Sequence, residues 1–109
     1  MKVAIVGSRG VTVDDLARFI PDKTDEIVSG GAEGVDRCAR NYAVEHGIKL
    51  TEFLPDYKMF GDLAPIARND AIVDYSDEVI AFWDGKSHGT LYVINRCRAT
   101  DKKVTVILM

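Results

Sequence analysis

Two arginines, a short set of carboxylates and three glycine-bearing turns carry the chemistry in this chain. The turns are Gly7-Ser8-Arg9-Gly10, Ser29-Gly30-Gly31-Ala32-Glu33-Gly34-Val35-Asp36 and Asp84-Gly85-Lys86-Ser87-His88-Gly89-Thr90, each placed where an apolar run gives way to a helical pattern. Glycine lets the backbone approach a ligand closely, and the first N–H groups of the helix that follows have no intrahelical partner. Such a corner suits an anion, because the helix dipole adds a favourable field to those donors. Three corners of this kind predict a phosphate cradle.

Arg9 beside Ser8 supplies a forked cationic donor for a phosphate or carboxylate, although a tight strand-to-helix turn and a capping serine explain the same residues. Asp36 falls in a first helical turn, where it either complements the helix dipole or reads a ribose hydroxyl. Asp36, Asp84 and Glu33 are the carboxylates nearest the corners and the candidates for acid–base work on a glycosidic bond, with Glu33 better read as a solvated loop charge. Helical spacing sets Arg68 on a different side of its helix from Ile66 and Val73, as either a solvated or a ligand-facing arginine. His88 sits in the third corner as a candidate contact, and His46 ends a helix. Of Phe82 and Trp83, at least one ring is expected to fill the core, which leaves the other as a candidate to stack on a base. Neither GxGxxG nor GxxxxGK[ST] occurs, no serine lies on a GxSxG elbow, and no cluster has metal-ligand spacing, so no metal is expected.

The elements that must position these residues follow a strict alternation. Strands are predicted over Lys2 to Val6, Asp25 to Val28, Ile48 to Leu54, Glu78 to Trp83 and Lys103 to Leu108. Between them lie four predicted helices. The first is capped by Thr12-Val13-Asp14-Asp15, buries Val13, Leu16, Ala17 and Ile20, and stops at Pro21. The second carries Val35, Cys38, Ala39, Tyr42, Ala43 and His46 at helical spacing and ends at Gly47. The third runs from Ala64-Pro65 to about Tyr75 after an irregular link, and the fourth from Thr90 to about Thr100. The order βαβαβαβαβ predicts a single Rossmann-like three-layer α/β domain: a five-stranded parallel sheet in the order 3-2-1-4-5, with helices on both faces. In that order the loops after strands one and four part, and the three corners share one rim.

Composition bounds the rest. The chain has 109 residues, 47% hydrophobic and 28% charged, which fits one soluble domain with its own core. Its net charge of -3 argues against a broad nucleic-acid groove while leaving room for a small anionic ligand. Apolar runs are too short to cross a bilayer and Met1-Lys2 leads straight into a strand, so a cytoplasmic protein without membrane association is expected. Cys38 and Cys97 read as reduced core residues.

The corners also resemble a known family. Gly7-Ser8-Arg9, the SGxAxGxD-like stretch from Ser29 to Asp36, the Arg68-Asn69 pair and Ser87-His88-Gly89-Thr90 are similar to the motifs of the SLOG superfamily. Its Rossmann-like members include DprA/Smf proteins, LOG-type cytokinin-activating phosphoribohydrolases and small YspA-like proteins, and the YspA-like branch is the nearest likeness. The resemblance implies a nucleotide or nucleotide-derived ligand, handled by a sensor, carrier or processing protein. It implies binding through Gly7, Ser8, Arg9, Gly30, Gly31, Gly34, Asp36, Arg68, Asn69, Ser87, His88, Gly89 and Thr90, and it makes a homodimer one of the states to expect. No cofactor beyond that ligand is implied. LOG enzymes carry PGGxGTxxE, whose last carboxylate serves hydrolysis; here Leu91, Tyr92 and Val93 follow Gly89-Thr90 and that Glu is missing. An N-glycosidase would therefore draw on Asp36, Arg68 or Asp84, and DprA-like binding of single-stranded DNA is a third reading.

Overall fold

Val3 to Val6 is apolar at every position, the pattern of a strand covered on both faces rather than on one. The computed structural model, which describes Met1–Met109, meets that requirement with β1 (Lys2–Gly7) at the centre of a five-stranded sheet. β2 (Glu26–Ser29) and β3 (Lys49–Glu52) lie on one side of β1, and β4 (Glu78–Trp83) and β5 (Lys103–Leu108) on the other. The order is β3-β2-β1-β4-β5 and every pairing is parallel, as the alternation of elements predicts.

Alternate residues of β1 enter two cores. Val3 and Ile5 pack with Val35, Ala39 and Ala43, the i, i+4, i+8 stripe of α1 (Val35–Glu45). Ala4 and Val6 pack with Ile72 and Val73 of α3 (Ala64–Tyr75) and with Val93, Ile94 and Cys97 of α4 (His88–Ala99). One helix thus covers one face and two cover the other. Both cysteines are free, Cys97 buried and Cys38 half-buried. No helix is long and apolar enough to cross a membrane.

Two segments differ from expectation. The first helix is absent: a single 3-10 turn at Leu16–Arg18 occupies its place, and Asp15 makes no capping bond. Only about eight residues separate the expected cap from Pro21, too few to offset the cost of nucleating an α-helix. The apolar spacing there is three, not 3.6: Val13 and Leu16 are buried, Phe19 meets Phe82 edge-on at 5.2 Å, and Ala17 is exposed. The link after β3, expected to be irregular, instead forms a four-residue helix α2 (Tyr57–Phe60) followed by a 3-10 turn at Gly61–Leu63. Asp56 holds α2 in place by accepting from the Met59 N–H at 3.0 Å.

Candidate functional site

Gly7 and Phe82 are partners across β1 and β4, and one residue later the two chains part, because β1 leads away towards β2 and β4 towards β5. The gap is a cleft of about 490 Å³. Gly7, Ser8, Arg9 and Gly10 line it from the first corner, Gly30, Ala32 and Asp36 from the second, and Asp84, Ser87, Gly89 and Thr90 from the third. Pro65, Arg68 and Asn69 of α3 close the fourth side, above a floor that includes Val6, Ile72 and Val93. The corners that sequence sets dozens of residues apart do meet.

Contacts between corners fix this arrangement. Ser8 is buried; its N–H donates to the Phe82 carbonyl at 3.2 Å and its Oγ accepts from the Asp84 N–H at 3.4 Å, tying the first corner to the third. Gly34 ties the first to the second. Its φ is +69°, and a Cβ there would lie 2.3 Å from the Arg9 carbonyl oxygen, so only glycine allows the two backbones to touch. Gly34 therefore stands behind the wall rather than in the cleft. Gly31, also outside it, turns its Cα towards Leu54.

Asp36 is 8% exposed, and its Oδ2 accepts from the Ala32 N–H at 3.1 Å. Burial raises its pKa, against the opposing pull of the Ala32 N–H and of Arg68. The half-buried Arg68 donates from Nη1 to the Gly30 carbonyl at 2.9 Å and from Nε to Asn69 Oδ1 at 2.8 Å. Burial lowers its pKa, while Asp36 works in the other direction. The two groups gather over Gly30, where a Cβ would fall 2.7 Å from Arg68 Nη1 and 3.1 Å from Asp36 Oδ2, yet they form no direct ion pair. The bond from Arg68 Nε commits the Asn69 amide oxygen and leaves its NH₂ as a donor.

Asp84 builds its corner. Its Oδ1 accepts from the N–H groups of Lys86 and Ser87, both at 2.8 Å, and these bonds hold the carboxyl below its ordinary pKa. Ser87 caps α4 by accepting from the Thr90 N–H at 3.4 Å. His88 opens that helix but is exposed and lies outside the cleft, and Glu33 is exposed too. Core packing, expected for at least one of Phe82 and Trp83, holds for both, and neither lines the cleft: Phe82 is fully buried, and Trp83 packs at the second core with Nε1 donating to the Ser87 carbonyl at 3.0 Å. Sequence reading missed the floor and Pro65, since a floor residue looks like any other core position and a proline in a first turn reads only as a helix start.

No family model, curated protein or solved structure matches this chain. Function is therefore read from the cleft: the free N–H groups of Arg9, Gly10 and Gly89, the Arg68 guanidinium, and a carboxyl that burial inclines towards its neutral form. No three His, Cys, Asp or Glu side chains gather closely enough to hold a metal ion.

Proposed function

We propose that the cleft binds a nucleotide or nucleotide-derived small molecule, in keeping with the SLOG-like motifs that supply its walls. The N–H groups of Arg9, Gly10 and Gly89, which donate to no protein group, hold phosphate, Arg9 and Arg68 neutralise it, Asp36 reads a sugar hydroxyl and Asn69 orients the guest. The observation that carries this reading is the interlock: Ser8 and Gly34 lock three glycine corners around one polar cavity that Arg68 enters from the opposite side. Preorganised donors of this kind bind anions without the cost of ordering them. Calorimetric titration with AMP, ADP, ADP-ribose and NAD tests it. Binding of at least one in the micromolar range is expected, and none tighter than millimolar would overturn the reading.

A second reading has one observation in its favour. A carboxyl raised by burial is suited to protonate a leaving base, and Asp36 is such a group within the cleft. On that reading incubation with AMP releases free adenine, and Asp36→Asn stops the release while binding persists. Binding without release by the unaltered chain leaves the protein a sensor or carrier.

A further inference from the structure

The base of a nucleotide is a flat ring, and proteins that hold one stack it on an aromatic side chain or slot it between apolar walls. None of the chain's four phenylalanines, four tyrosines and one tryptophan lines the cleft. The floor is aliphatic but withdrawn: Val6 is 6%, Ile72 1% and Val93 2% exposed, so these side chains present almost no surface to a guest. Pro65 and Ala32 are the other apolar side chains of the lining, both small and half-buried. A base gains little there.

The polar lining is of the opposite kind. Ser8 and Thr90 are both buried, and each hydroxyl oxygen already accepts a hydrogen bond, Ser8 Oγ from the Asp84 N–H at 3.4 Å and Thr90 Oγ1 from Ser87 Oγ at 3.2 Å. Neither hydroxyl donates to a protein acceptor, so each has its own proton to give at the cleft wall. A buried donor without an acceptor is costly, and a partner that supplies oxygen relieves that cost. The Asn69 NH₂ and the free N–H groups of the first and third corners face the same need. Asp36 adds an acceptor for a hydroxyl. Donors of this density beside so little apolar surface suit a guest made of phosphate and hydroxyl oxygens.

We propose that the cleft recognises a sugar phosphate through its oxygens and leaves the base of a nucleotide unread, so that ribose 5-phosphate is as good a guest as AMP or UMP. This rests on the phosphate-binding reading of the cleft and narrows it to the part of the ligand that is bound. Phosphate meets the guanidinium groups and the free N–H groups, while the sugar's hydroxyls meet Asp36, Asn69 and the two buried hydroxyls.

The test is calorimetric titration of the full chain with AMP, UMP, ribose 5-phosphate and inorganic phosphate. Ribose 5-phosphate and the two nucleotides are expected to bind within about fivefold of one another, since a stacked base would add at least that much, and each more tightly than inorganic phosphate. AMP or UMP tighter than ribose 5-phosphate by more than about fivefold overturns the proposal and leaves the cleft reading standing. Ribose 5-phosphate no tighter than inorganic phosphate also overturns it, because the sugar's hydroxyls would then go unread. If none of the four binds, the cleft reading falls and this proposal with it. Thr90→Val keeps the branched shape without the hydroxyl and is expected to weaken AMP, UMP and ribose 5-phosphate by one common factor, about three- to tenfold. A loss confined to AMP and UMP would assign Thr90 to the base and overturn the proposal. Should that variant fail to fold, the comparison on the unaltered chain decides alone.

Discussion

Asp36 is the residue whose environment departs furthest from what its position in the sequence suggests. A carboxylate in a first helical turn is ordinarily comfortable, yet here it is buried beneath the second corner with a single backbone donor at 3.1 Å. Its folded pKa is raised, chiefly by burial, so the folded chain holds that proton more tightly than the unfolded one. The stability it contributes is therefore full below the ordinary carboxylate value of 3.8 and is lost as pH rises through the raised one. Asp36→Asn, which keeps an oxygen for the Ala32 N–H and removes the charge, is expected to melt a few degrees higher than the unaltered chain at pH 7, the scale of about 1 kcal/mol in a chain this size. The gap closes near pH 3.5. A variant that melts lower at pH 7 would mean that Arg68 and the Ala32 N–H stabilise the anion by more than burial costs it. The chemical types at the site were legible from the sequence, but this balance was not, because burial depends on neighbours that the fold delivers from α3 and β2.

At the scale of elements, glycines that look alike in sequence divide by what surrounds them. Gly34 has a positive φ and touches the Arg9 backbone, and a Cβ on Gly7 would fall 2.5 Å from Val35 Cγ2 and 2.7 Å from the Phe82 carbonyl oxygen. Gly10 and Gly89 have nothing within 4 Å of the same point. Alanine at Gly34 or Gly7 should cost about 2–4 kcal/mol, from backbone strain or overpacking, whereas alanine at Gly10 or Gly89 should change unfolding free energy by less than about 0.5 kcal/mol. Denaturant unfolding of the four variants checks this division, and four similar costs would contradict it. The sequence marked where the corners begin, since an apolar run ending in glycine is a local signal. Which glycines pack and which face the cleft depends on long-range approach. The missing first helix has the same origin: Val13, Leu16 and Phe19 satisfy a spacing of three as well as they suggest one of 3.6, and the Val11 N–H is held instead by the Ser8 carbonyl at 3.2 Å. In the link, Asp56 three residues before Met59 was a readable cap, overlooked because the segment that follows is only four residues long.

For the molecule as a whole, strand order does the work of bringing distant residues together. Alternating elements predict a parallel sheet, the order β3-β2-β1-β4-β5 puts its reversal between β1 and β4, and the cleft lies at that reversal. The fold and the place of the cleft were thus readable from periodicity and turn residues. The bond from Arg68 on α3 across to the Gly30 carbonyl at 2.9 Å was not, because helical spacing gives a residue's side and not its reach. The measurement that bears most directly on the central claim is a ¹H–¹⁵N titration of the assigned chain with AMP. The account predicts that the amides of residues 7–10, 30–36 and 84–90 shift together with one saturating dissociation constant, and that Arg68→Ala weakens that constant by at least about tenfold, as expected for loss of a charged donor. Shifts confined to one corner, shifts on the far end of the sheet, or none at millimolar AMP would contradict it.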